Sequence, residues 1–169
     1  MNEATRSSAN EPTQTLQLDG FLPYRLSVLS NAVSRKIADM YERDFDISIW
    51  QWRILAVLGE SDGLTSTEVA TKTLMDKPAV SRATAALLQR GLLSRKSDNK
   101  DRRKAELRLS EDGRKIYDAI IPRALSYERD LLASLSDEDA ATLHRLLTKL
   151  SHIASPEREL WSQRGGTDD

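Results

Sequence analysis

The stretch SRKSDNKDRRKAELRLS, Ser94 to Ser110, changes both the charge and the hydrophobic period of the chain. Before Glu106 it sets six cations, Arg95, Lys96, Lys100, Arg102, Arg103 and Lys104, against Asp98 and Asp101. Its end, AELRL, alternates Ala105, Leu107 and Leu109 with Glu106 and Arg108, the period of a half-buried strand. Leu92 and Leu93 begin an earlier short segment that ends near Ser97. Two short strands joined by SDNKDRRK make a β-hairpin with a polar, basic tip.

The cluster stands out against the whole chain. The formal net charge of all 169 residues is −1, yet residues 72–104 carry ten Lys/Arg and three Asp, a local charge of +7. Basic charge gathered in one region is the electrostatic footprint of a nucleic-acid binder. The same region holds no Phe, Trp or Tyr. Single strands and RNA loops are held by stacking on aromatic rings, so this composition favours duplex DNA.

Upstream the pattern is helical. FLPYRLSVLSNAVSRKIADMYERDF spaces Leu22, Leu26, Leu29, Val33, Ile37 and Met40 along one helix face, with Pro23 suited to a first turn. Capping boxes are written at Ser48 to Gln51 and Thr65 to Glu68. In DKPAVSRATAALLQRG, Asp76 is a natural N-cap, Pro78 falls in the first turn and Gly91 at the C-terminal end. Val80, Ala83, Leu87 and Leu88 face inward on this helix. Lys77, Ala79, Ser81, Arg82 and Ala85 form a small, polar outer face that fits a DNA major groove. Ser66 and Thr67 sit at the N-terminus of the preceding helix, also as DNA contacts. Downstream, Ser110 caps a long helix that Pro122 is expected to interrupt, with a kink near residues 118–122, and Ser136 to Asp139 starts a last helix with Leu143, Leu146, Leu147, Leu150 and Ile153 on one face.

The order predicted is four helices, a hairpin and two helices. A helix-turn-helix followed directly by a basic-tipped hairpin is a winged helix, whose wing meets the phosphate backbone or the minor groove. The first and last helices are amphipathic yet lie outside this reading head, so their apolar faces need a partner, and the fold class expected is mainly α with a small β-hairpin, a winged helix-turn-helix plus a helical dimerisation base. The expected divisions are a flexible tail over 1–18, an N-terminal dimerisation helix over 19–47, the DNA-binding domain over 48–109, C-terminal dimerisation helices over 110–154 and a tail over 155–169.

DRRKAELRLS matches D-x-R-x5-L-[S/T] at Asp101, Arg103, Leu109 and Ser110. Together with DKPAVSRATAALLQRGLLSRK it resembles the MarR family of bacterial transcriptional regulators across roughly residues 20–153. One departure lies in the helix-turn-helix connection, where many members have Gly and this chain has Thr73 and Leu74. The resemblance implies a homodimer whose two winged helices read a pseudo-palindromic operator. It implies that Asp101 steadies the wing and that Arg103 is presented to DNA, beside Arg95, Lys96, Lys100, Arg102 and Lys104. It further implies repression, relieved by a small aromatic effector.

The chain has no cysteine, which excludes disulfides and control by thiol oxidation. His144 and His152 are eight residues apart on one helix, too far for a chelating pair, so no metal is expected. No cofactor is expected either. No apolar run is long enough for a membrane span and no secretory signal opens the chain, so a cytoplasmic protein is expected. Gly-rich phosphate loops and Ser/His/Asp settings are missing, which argues against an enzyme. For an aromatic carboxylic acid or its coenzyme A thioester, Arg25 and Arg53 offer guanidinium forks. Trp50 and Trp52 offer stacking faces, and Ser30 and Asn31 hydrogen bonds. Trp52 equally suits the core, and Arg53 a structural ion pair. The LPYRLS opening is similar to regulators of hydroxycinnamate and related aromatic-acid catabolism. A winged helix serving only protein contacts is the alternative, and it leaves the basic wing without a purpose.

Overall fold

The computed structural model of the chain describes residues 15–61, 63–96 and 105–154. After a 3-10 turn at Leu18–Gly20 come α1 (Leu22–Phe45), α2 (Ile49–Gly59), β1 (Leu64–Thr65), α3 (Ser66–Thr73) and α4 (Lys77–Gln89). Then follow β2 (Leu93–Lys96), β3 (Glu106–Leu109), α5 (Glu111–Leu132) and α6 (Asp137–Ala154). The order of four helices, a hairpin and two helices is the one the sequence predicts. The N-terminal tail lies mostly, and the C-terminal tail wholly, outside the described residues.

The helix starts follow from short side chains that take up free backbone N–H groups. Ser48 and Gln51 form a reciprocal capping box on α2, and Thr65 and Glu68 form another on α3. Asp76 Oδ1 accepts the Ala79 N–H at 2.5 Å to begin α4. Ser110 Oγ accepts the Gly113 N–H at 2.9 Å to begin α5, and Ser136 Oγ accepts from Asp139 at 3.1 Å to begin α6.

Two expectations need correction. The hairpin is part of a three-stranded antiparallel sheet in the order β1-β3-β2, because Leu64 and Thr65 pair with Leu107 and Glu106. A two-residue strand is too short to show a period. Pro122 does not interrupt α5, which runs unbroken from Glu111 to Leu132. The missing N–H frees the carbonyl of Asp118 one turn back, and Asp118 is exposed, so water can take that bond.

The chain divides into two compact units, Met1–Lys36 and Ile37–Asp169, and each is described by itself. In the described part of the first, Leu22, Leu26 and Leu29 of α1 are exposed. In the second, Tyr41, Ile47, Ile54, Leu55, Leu58, Val69, Leu87 and Leu107 form a buried core, closed on one side by Ile120 of α5. Leu93 pairs with Leu109 and Arg95 with Leu107, so the hairpin's inner face seals the core while Ser94, Arg95 and Lys96 stay exposed. Residues 97–104, which include the wing-tip candidates Lys100, Asp101, Arg102, Arg103 and Lys104, lie outside the described residues.

Candidate nucleic-acid interface

The helix-turn-helix is α3 and α4, joined through Leu74 to Asp76. The turn is made without glycine. Leu74 takes the left-handed conformation (φ 54°, ψ 24°) and exposes its side chain. Thr73 ties the turn from the inside: its hydroxyl donates to the Val69 carbonyl at 2.7 Å and accepts from the Met75 N–H at 3.4 Å. Asp76 then caps α4, and Pro78 pre-sets its first turn.

On α4, Val80, Ala83 and Leu87 are buried as expected, with Leu88 half-buried. Thr84 is buried too, at 3% exposure, and its hydroxyl has no hydrogen-bond partner among the described residues. Hydrophobic periodicity did not mark it because threonine reads as polar. Lys77, Ser81, Arg82 and Ala85 are exposed. Ala79 departs from the outer face drawn for it: it is half-buried and packs against the core.

Ser66, Thr67, Lys77, Ser81 and Arg95 line one open cleft of about 540 Å³, with Thr84 among its walls. The cleft thus gathers the α3 N-terminus, the outer face of α4 and the root of the wing. Lys77, Arg82, Arg95 and Lys96 form no ion pair among the described residues. Two of them, Lys77 and Arg95, border this groove, and exposed cations without ion-pair partners among the described residues attract a polyanion. The free N–H groups at the α3 N-terminus suit a phosphate oxygen. The Glu68 carboxylate is held below its usual range by hydrogen bonds from the Thr65 backbone and hydroxyl, which keeps the cap charged.

The candidate effector residues separate. Arg53 lies over the Trp50 ring at 5.2 Å and forms no ion pair among the described residues. Trp50 and Arg53 line a second open cleft of about 620 Å³ beside α4, which Arg82 also borders. Trp52 points elsewhere. It is half-buried between Tyr41, at 5.7 Å, and Tyr117, at 6.1 Å. Burial, reinforced by Glu42 and partly offset by Arg53, pushes the Tyr41 phenol up to about 12. Arg25, Ser30 and Asn31 are exposed on α1 in the first unit. No group of three His, Cys, Asp or Glu residues is placed to hold a metal among the described residues. No described helix is long and apolar enough to cross a membrane.

Residues 45–104 match the model of the MarR family. The chain is 29% identical over 104 residues to the HTH-type transcriptional regulator BilQ of Clostridium symbiosum, covering 62% of this chain and 72% of that protein. A solved MarR family transcriptional regulator from Silicibacter pomeroyi DSS-3 is 28% identical, with a TM-score of 0.73 over 83% of this chain and 99% of that one. The Staphylococcus aureus MepR–DNA complex is 27% identical, with a TM-score of 0.70 over 80% of this chain and 98% of that one.

Proposed function

We propose that the chain is a MarR-type DNA-binding transcriptional regulator and not an enzyme, acting as a homodimeric, cytoplasmic repressor of a pseudo-palindromic operator, released by an aromatic carboxylic acid or its coenzyme A thioester. The observation that carries the DNA contacts is the open cleft at the α3 N-terminus, bordered by Ser81 and by Lys77 and Arg95, which form no ion pair among the described residues. In this reading Lys77, Ser81 and Arg82 face the major groove, and Ser66 and Thr67 meet the phosphate beside it. Arg95, Lys96, Lys100, Arg102, Arg103 and Lys104 follow the backbone along the wing, with Asp101 steadying its tip. The functional divisions are the helix over 19–47 and the helices over 110–154 for dimerisation, around a DNA-reading domain over 48–109.

The dimer is supported by apolar surface. No residue of α6 is buried, and Leu143, Leu146, Leu147 and Ile153 are exposed, Ile153 at 77%. An apolar stripe of this extent marks a protein contact. The effector is supported by Trp50 and Arg53, a ring and a guanidinium side by side with no ion pair to Arg53 among the described residues, a pairing suited to an aromatic anion. The test is a mobility shift on duplex DNA from the chain's own promoter region, with and without a panel of aromatic acids and their thioesters. Specific binding released by one compound is the expected result. Specific binding that no compound releases removes the effector, and no specific binding at low salt removes the reading.

A further inference from the structure

Arg90 is one of the ten basic residues of the region 72–104, at the end of α4, and by charge alone it belongs to the DNA-facing set. The residue is exposed, but its guanidinium is turned to main-chain carbonyls of the same chain. One nitrogen donates to the Asp46 carbonyl and the other to the Phe45 carbonyl, at 2.8 Å for the second. These two carbonyls stand where α1 ends. The last carbonyls of a helix have no partner within it and form the negative end of its dipole, so a forked cation is the natural cap. Asp46 there takes a left-handed backbone (φ 52°) with no glycine to ease it, and the chain reverses into α2. The opposite side of the same corner is held by α5: Arg123 pairs with the Asp44 carboxylate and lies over the Phe45 ring at 5.8 Å. Residues 44–46 are thus gripped by one arginine from α4 and one from α5.

We propose that Arg90 is a positioning residue, a strut that fixes the recognition helix against the C-terminal end of α1 without touching DNA. The inference rests on the reading of α4 as the DNA-reading helix. Its consequence is that the spacing of the two recognition helices in a dimer depends on a contact made to main-chain carbonyls. Lysine in this place keeps the charge and loses the fork, so it cannot hold both carbonyls at once.

The experiment uses the full chain and a duplex operator selected by it from randomised DNA. Affinity is measured over a salt series for wild type, Arg90→Ala, Arg90→Lys and, as a phosphate-contact control, Arg95→Ala. It is measured again on an operator with one base pair inserted between the half-sites. Arg90→Ala and Arg90→Lys are both expected to bind about tenfold more weakly. Both keep the wild-type salt slope, and both lose much of the penalty for the insertion. Arg95→Ala is expected to lower the slope by roughly one per lost phosphate contact. A lowered slope for Arg90→Ala, with affinity restored in Arg90→Lys, overturns the proposal and makes Arg90 a phosphate contact. Unchanged affinity, or weaker binding with the spacing penalty intact, overturns it as well. A wild type that selects no duplex shows instead that the reading of α4 has failed, before any variant is compared.

Discussion

At the scale of single residues, the fold asks unusual things of side chains that are ordinary in the sequence. Leu74 is the clearest. A non-glycine residue in the left-handed region costs about 1–2 kcal/mol, and Leu74 recovers little by packing because its side chain is 53% exposed. Leu74→Gly is therefore expected to raise stability by up to about 1 kcal/mol, read as a higher thermal midpoint. A lower midpoint would mean that the exposed leucine makes contacts worth more than the strain. The place of this turn was legible in the sequence, but its conformation was not. The usual signal is glycine, and here the turn is held by the Thr73 hydroxyl. Arg90 shows the same limit. Counting cations puts it on the DNA face, while its partners lie 44 and 45 residues away along the chain. Trp50 and Trp52 could have been separated in advance. Two residues apart on a helix they diverge by about 200°, so one ring faces solvent and the other the Tyr41–Tyr117 stack.

At the scale of elements, what is local was legible. The caps at Ser48, Thr65, Asp76, Ser110 and Ser136 are patterns of four residues, and each is made as written. What depends on distant pairing was not, and β1 is the example. The junction of α4, β2 and α5 is the tightest such pairing. Ser110 donates its N–H to the Leu92 carbonyl at 3.1 Å and its hydroxyl to the Gly91 carbonyl at 2.7 Å. A Cβ placed on Gly113 would stand 2.0 Å from the Leu92 carbonyl oxygen, a backbone atom that cannot swing aside. Gly113→Ala must push α5 away from the root of the wing. It is expected to lower stability by about 1–3 kcal/mol, read as a shifted midpoint in urea. An unchanged midpoint would mean that α5 can slide on the sheet without loss.

At the scale of the whole molecule, two asymmetries stand out. A net charge of −1 conceals a region of +7. The core gathers the helices of the reading head, whereas α6 has no buried residue at all. The first asymmetry asks for DNA and the second for another copy of the chain, so sedimentation is expected to give twice the chain mass, and a monomer at micromolar concentration would leave the α6 stripe without its proposed partner. The central claim is that exposed cations on α4 and the wing bind duplex DNA through its phosphates. Its most direct measurement is the affinity of the full chain for its selected operator across a salt series. The logarithm of the binding constant is expected to fall linearly and steeply with the logarithm of salt, by about 0.9 per phosphate neutralised, and the operator to outcompete random duplex at every salt. A flat response, or equal affinity for random duplex, would contradict it.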